Sequence, residues 1–242
     1  MGPMLLGLDT TTERIHAALV QGERHWGRAV TLERGQSQSR VLLPLLDDLL
    51  AEAGAGPEAV TGPGPKALTG VVCCVGPGGF TSLRIGVATA EGLALTGLPT
   101  WGFSAFELRA RALEAGGFAG PRWILLDGQR QEAFAQRWSE GPDGPAVKHP
   151  LGALPGLLAG EPWWAPPGFR DRAETLLGQM PLTLPDEAGA TLAALAHLCR
   201  DRSRQAPEAP LVPFYLRETD AELNFPEASA HLPEALRRGQ AR

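Results

Sequence analysis

Several residue types from which common sites are built are scarce in this sequence. Three cysteines in 242 residues exclude a disulfide framework and fit reduced thiols in a reducing compartment. Lysine occurs only at positions 66 and 148, arginine supplies most of the positive charge, and the formal net charge is -5. That balance gives no bulk attraction for nucleic acid. The histidines, at 16, 25, 149, 197 and 231, include no pair four residues apart, and no Cys-x-x-Cys occurs, so the spacings that build zinc sites are missing. His16 and His197 read as structural residues on a strand and a helix. No Gly-x-Ser-x-Gly elbow places a serine nucleophile. No apolar run reaches the roughly 18 residues of a membrane helix, and Met4-Leu5-Leu6-Gly7-Leu8 is too short for a signal peptide. A soluble, cytoplasmic protein with no membrane partner is expected.

What is present centres on residues 75–97. The β-branched run Val71-Val72-Cys73-Cys74-Val75 predicts a buried strand, with Cys73 and Cys74 facing opposite ways. Gly76, Pro77, Gly78 and Gly79 predict a turn, and a helix follows from Phe80 to Gly97, just before Pro99. Strand, glycine turn and helix can cradle phosphate on helix N–H groups. No lysine follows the glycines, so the Walker pattern is absent, and a tight turn that brings helix close to strand is the other reading. At 100° per residue, Leu83, Gly86, Val87, Ala90, Leu93 and Ala94 share one face and Ile85, Ala88, Gly92 and Leu95 a second. A helix with two apolar faces needs cover on both.

Around this centre the pattern predicts strands at 4–9, 15–20 and 25–31 joined by hairpins, and a helix to about Ala53 with Ser37 or Ser39 as cap and Pro44 inside it. A Gly/Pro loop at 54–64, the central unit and a strand at 99–102 complete the order β-β-β-α-β-α-β, a ribonuclease-H-like arrangement. A second block has a helix at 104–115 opened by a Ser104/Glu107 capping box. Strands follow at 123–127 and 132–138, then loop over most of 141–167, a helix from an Asp186 cap to Arg200 and a last strand at 211–216. The tail, 227–242, reads as poorly ordered.

Asp9-Thr10-Thr11-Thr12 after a first strand is how actin-like ATPases and sugar kinases begin, with the Asp positioning a metal and the hydroxyls contacting phosphate. The second half offers only Asp127-Gly128-Gln129-Arg130, without the Gly and hydroxyl pair of a phosphate loop. Asp9, Thr10 and Thr11 are therefore vestigial phosphate-site candidates, or residues of a turn held by local side-chain hydrogen bonds. No catalytic residue, metal ligand or cofactor is expected.

Four segments together carry a resemblance: Leu8-Asp9-Thr10-Thr11-Thr12, Gln38-Ser39-Arg40-Val41-Leu42-Leu43-Pro44, Gly76-Pro77-Gly78-Gly79-Phe80-Thr81-Ser82-Leu83-Arg84-Ile85-Gly86 and Pro213-Phe214-Tyr215-Leu216-Arg217. Their order is similar to that of the TsaB (YeaZ) family, whose signature reads Gly-Pro-Gly-Ser-Phe-Thr-Gly-Leu-Arg-Ile-Gly. Gly79 stands at the family Ser, Ser82 at the family Gly, and Ser37 at a usual His. The resemblance implies two ribonuclease-H-like lobes of the actin-like ATPase and sugar-kinase superfamily, at 1–102 and 103–226, the second degenerate. It implies a non-catalytic partner that activates TsaD, the enzyme forming N6-threonylcarbamoyladenosine beside the tRNA anticodon. TsaE with ATP would join the assembly, tRNA would be met only through the complex, and a homodimer would form when TsaD is absent. The alternative is an ATP-dependent kinase-like enzyme or a peptidase of the same superfamily.

TsaB relatives associate through two helices. Val41, Leu42, Leu43, Leu45, Leu46, Leu49 and Leu50, with Ala53, cover an arc of about 200° at 100° per residue, wider than the stripe of somewhat over about 100° that one core needs. With Leu83, Gly86, Val87, Ala90 and Leu93 they form the expected partner surface. The acidic composition generates a first prediction: the isolated chain binds tRNA weakly and salt-sensitively. Submicromolar binding that persists at high salt in a filter-binding assay would contradict it.

Overall fold

The computed structural model describes residues 2–216 apart from 34, 57 and 62–66. The expected strand 1 to 3 meander is present as β1 (Met4–Asp9), β2 (Arg14–Gln21) and β3 (Arg24–Thr31), antiparallel throughout. α1 (Gln38–Glu52) and a short α2 (Glu58–Thr61) lead to β4 (Leu68–Gly76), which runs parallel to β1. α3 (Phe80–Ala94) then crosses back to β5 (Thr100–Ser104), parallel to β4. The sheet order β3-β2-β1-β4-β5 is ribonuclease-H-like. Because α1 leads from the end of β3 towards the start of β4, and α3 from the end of β4 to the start of β5, all three strands pointing the same way, the two helices run in the same direction, and they touch.

The second block supplies α4 (Ala105–Ala115), β6 (Arg122–Gln129), β7 (Glu132–Trp138), β8 (Val147–Pro150), α5 (Leu154–Leu158), β9 (Trp163–Trp164), α6 (Pro167–Leu177) and α7 (Glu187–Arg202). Its sheet has four strands in the order β8-β7-β6-β9. Five layers result. α1 and α3 cover the outer face of the first sheet, with Leu6, Leu8, Leu49, Val71, Cys73 and Leu83 among the buried residues. α4 and α7 fill the space between the sheets in one continuous core that takes Leu5 and Cys74 from the first sheet and Ile124 and Trp164 from the second. α5 and α6 close the far side over Leu125, Trp163 and Phe169. This is the two-lobed α/β fold class expected, with a smaller second sheet. Cys73 and Cys74 fall in different cores, as strand alternation requires.

Two helix starts follow their sequence signals. The Ser104 hydroxyl accepts from the N–H groups of Phe106 and Glu107, and Asp186 accepts from Gly189. The capping box at Ser104 is half made, because the Glu107 carboxylate is engaged by Arg111 and Arg202. Other expectations need correction. Ser37 sits at the N-cap of α1 but makes no cap bond; its hydroxyl pairs with Ser39 at 2.7 Å. Residues 141–167 are not mostly loop. Leu151, Leu154 and Leu158 bury a short helical stretch that the interspersed glycines and prolines disguise. No strand forms at 211–216. Pro213 has no N–H to donate, Leu211 N–H goes to the Glu91 carboxylate at 2.8 Å, and Phe214 N–H goes to Val75 at 2.6 Å. The strap is thus pinned at single points instead of by a ladder. The 227–242 tail lies outside the described residues.

Packing in the middle layer is tight where α7 crosses β1. A Cβ on Gly7 would lie 2.6 Å from Cys199 Sγ and 3.0 Å from Leu195. The second prediction is that Gly7→Ala lowers stability by roughly 1–3 kcal/mol through overpacking. In a Cys199→Ala background the cost should shrink, because the sulfur that collides is gone. Thermal melting of the four proteins checks this; equal costs in both backgrounds would contradict it.

Candidate functional site

The parallel strands β1, β4 and β5 end on one side of the first sheet, at Asp9, Gly76 and Ser104. Side chains alternate along β1, so Leu8 faces α1 and α3 while Asp9 faces the middle layer. Asp9 is completely buried. Its Oδ2 accepts from Arg109 Nη2 of α4 at 2.6 Å. Its Oδ1 accepts from Thr11 N–H at 3.0 Å and from the Thr11 hydroxyl at 2.6 Å. His16 Nδ1 lies 3.4 Å from Oδ2 but is not aligned for a hydrogen bond.

These contacts set the charges. Burial alone would raise the Asp9 carboxyl, yet the Arg109 guanidinium, with help from the Thr11 hydroxyl, holds it well below the usual carboxylate range. Burial opposes the Arg109 charge, and the Asp9 carboxylate more than restores it. His16 goes the other way: burial pushes its pKa down against the pull of Asp9, so the imidazole is neutral. Burial also pushes the Cys73 and Cys74 thiols up, and Cys199 up to about 12. None of the three is a reactive thiolate.

The loop after Asp9 is filled by the protein itself. The Thr10 hydroxyl donates to Ser82 O at 2.8 Å. The Gln38 side-chain amide donates to Thr10 O and Thr12 O at 3.0 and 2.9 Å. Gly79 N–H donates to Thr11 O at 3.0 Å. A Cβ on Gly78 would sit 2.4 Å from Thr11 O, and one on Gly86 would sit 2.3 Å from Thr10 Oγ1. The glycine turn brings α3 close to the Asp9 loop, and its Gly79 N–H is taken by Thr11 O. On the second sheet, Asp127 accepts from Gln129 N–H and from Arg172, and Gln129, Arg130 and Gln131 take left-handed backbone at φ of 61°, 46° and 64° to turn the hairpin. Glu13 spans the two blocks, accepting from Gly168 N–H in the first turn of α6 at 3.2 Å. Among the described residues no group of three His, Cys, Asp or Glu is placed to hold a metal.

Asp9, Thr10 and Thr11 are thus brought together as expected, but around Arg109, Gln38, Ser82 and Gly79. Arg109 carries no motif in the sequence. A signal existed: Arg109 lies on the face of the 104–115 helix shared by Ala105, Leu108 and Ala112, all buried, where an arginine requires an anion.

The expected partner surface is distributed unevenly. Leu42, Leu45, Leu46, Leu49 and Leu50 of α1 and Leu83, Gly86, Val87 and Ala90 of α3 are buried against the lobe's own sheet, and Val41 and Leu93 are half-buried. Leu43 is 59% exposed. The arc of α1 is wide because the sheet, α3 and the 55–59 segment all pack on it, so the outward surface is narrower than the arc. It consists of Arg40, Leu43, Pro44, Asp47 and Asp48 on α1, and of Phe80, Arg84, Ala88, Gly92 and Leu95 at the outer side and end of α3.

Comparison with known proteins agrees with this architecture. Residues 34–140 match the family described as TsaD, tRNA N6-adenosine threonylcarbamoyltransferase. An uncharacterized protein of Mycobacterium tuberculosis is 30% identical over 226 residues, spanning 90% of this chain and 93% of its own length. The tRNA threonylcarbamoyladenosine biosynthesis protein TsaB of Haemophilus influenzae is 33% identical over 91 residues, 37% of this chain and 34% of that protein. YeaZ from Pseudomonas aeruginosa superposes with a TM-score of 0.64 at 22% identity, covering 85% of this chain and 95% of its own. A second Pseudomonas aeruginosa structure, of an uncharacterized protein with similarity to the peptidase YEAZ, gives 0.66 at 24% identity, covering 89% and 100%. This chain belongs to the same family as the Mycobacterium tuberculosis protein, which it matches along nearly its whole length; it has the fold of YeaZ and is similar over 91 residues to a TsaB protein.

Proposed function

We propose that the chain takes part in threonylcarbamoyladenosine biosynthesis as a non-catalytic accessory subunit that docks on TsaD through α1 and α3. The observation that carries this reading is the Asp9–Arg109 pair. A kinase-like or ATPase chemistry needs the first-strand carboxylate free to position a metal; here a guanidinium occupies its outer oxygen at 2.6 Å, in full burial. The Thr10 and Thr11 hydroxyls are committed to Ser82 and Asp9 in the same way. In this reading TsaE with ATP joins the assembly in the cytoplasm, tRNA is contacted through the complex, and a second copy covers the docking face when TsaD is absent.

The reading is tested by incubating the purified chain with ATP, threonine, bicarbonate and tRNA, with and without TsaD and TsaE. Alone it should release no phosphate and modify no adenosine; with the partners it should be required for modification. Turnover by the chain alone that vanishes in Asp9→Ala would sink the proposal.

The docking face gives a sharper expectation. Leu43→Glu places a charge on the exposed edge and should leave the melting temperature near wild type while abolishing TsaD pull-down. Leu45→Glu places it at a side chain 5% exposed and should unfold the lobe. A folded Leu43→Glu that still captures TsaD would remove α1 from the interface.

If Asp9 is structural, its loss should act on stability. Arg109→Met leaves a buried uncompensated carboxylate and should cost about 3–5 kcal/mol, whereas Asp9→Asn with Arg109→Met should recover much of that. The Asp9 carboxyl titrates lower folded than unfolded, so the pair's contribution is complete above about pH 5 and fades as pH falls through the unfolded value of about 3.9 and below. Denaturant titrations should show a shallower loss of stability between about pH 5 and pH 3 in the double variant than in wild type.

A further inference from the structure

Arg84 is built unlike most of the described arginines. Arg109, Arg111, Arg170 and Arg172 each end on a carboxylate. Arg84 ends on none among the described residues, although its position is fixed from two sides. Its guanidinium lies 3.7 Å over the centre of the Phe80 ring, and its Nε donates to the Tyr215 hydroxyl at 3.2 Å. The Phe80 and Tyr215 rings are themselves 5.3 Å apart. Tyr215 comes from the other end of the chain. It is delivered by the strap whose Leu211 and Phe214 N–H groups are pinned to Glu91 and Val75. Phe80 remains 39% exposed under this stack.

Such an arrangement has a cost unless something covers it. A long side chain has lost rotamer freedom, and an aromatic ring faces solvent. Stacking and one hydrogen bond through Nε leave the two terminal nitrogens of this exposed guanidinium without a hydrogen bond to the described residues, and such a pair of donors matches a carboxylate bidentately. Aromatic and arginine residues held rigid before contact are also what dominates protein interfaces. We infer that Arg84, clamped by Phe80 and Tyr215, is a preformed socket for a carboxylate of the protein that docks on α1 and α3; this rests on the docking reading above.

The surroundings select a protein carboxylate over an RNA phosphate. Arg84 continues directly into the exposed small residues Ala88 and Gly92 of α3, which permit close approach of another helix, and the neighbouring helix presents Leu43 beside Asp47 and Asp48. Those acids would repel a phosphate backbone, which needs several cations in a row. A partner with one acidic side chain beside an apolar ridge fits both features.

Arg84→Gln, Arg84→Lys and Tyr215→Phe all alter the outer surface and should melt like wild type. Affinity for purified TsaD of the same organism is measured by titration calorimetry at low and high salt. Arg84→Gln should weaken binding at least about tenfold and flatten its salt dependence. Arg84→Lys should recover only part, having charge but no fork. Tyr215→Phe keeps the ring and should lose less than Arg84→Gln. Unchanged affinity in Arg84→Gln, with Leu43→Glu still abolishing binding, overturns the socket and leaves the docking reading intact. No binding by wild type removes both. If Arg84→Gln spares TsaD but lowers retention of tRNA by the complex, the anion is an RNA phosphate and the carboxylate socket is wrong.

Discussion

A fully buried carboxylate is tolerable only with a cation and hydrogen bonds around it, and Asp9 has Arg109 and Thr11. This one pairing constrains a large part of the molecule. Arg109 reaches Asp9 from α4, so the pair fixes the middle-layer helix against the end of β1. Thr11, held on the other oxygen, sets the course of the 10–13 loop. That loop then receives Gln38 from the first turn of α1 and Gly79 from the start of α3, while Thr10 reaches Ser82. Two helices that begin on the same loop, and run in the same direction, are registered to each other before any partner arrives. Their outward residues therefore form one surface and not two independent ones.

The middle layer adds a second constraint. α4 and α7 are shared by both sheets, and one apolar core runs from Leu5 and Cys74 through Phe106 and Leu195 to Ile124 and Trp164. Closing two lobes around a soluble ligand requires the sheets to move relative to each other. Here such motion would pull apart side chains that are packed to near-zero exposure, and would also break the Glu13 contact with Gly168 at 3.2 Å. The fold is suited to presenting a fixed face.

How much of this was legible in sequence follows from the range of the interactions. The three-strand meander, the central strand, turn and helix, the opposite-facing cysteines and the Ser104 and Asp186 caps rest on neighbours within a few residues, and pattern finds those. The stretch at 141–167 defeated pattern reading because its apolar residues are split by Gly and Pro, while the pairing that makes β8 a strand comes from β7. The site was half legible. Asp9, Thr10 and Thr11 carry a motif, but what decides their chemistry is Arg109, 100 residues away. Likewise the apolar arc of α1 was visible, but its division between core and surface depends on how much the sheet and α3 cover.

That division bears on how the proposed docking face would work. With Leu42, Leu45, Leu46, Leu49 and Leu50 spent on the lobe's own core, the outward apolar material on α1 is chiefly Leu43 and Pro44, and on α3 it is Ala88, Gly92 and the terminal Leu95. At roughly 25 cal/mol per Å², surfaces this sparse do not supply tight association by area alone, and area converts poorly to affinity in any case. Small residues help by letting backbones approach. Strength must then come from a few rigid, well-placed groups. The stack at Phe80, Arg84 and Tyr215 meets that description because its geometry is set within the monomer, by α3 from one end of the chain and the strap from the other. The same loop that carries the Asp9–Arg109 pair receives Gly79 and Ser82 at the start of α3, so the helix that bears Arg84 is anchored by that network.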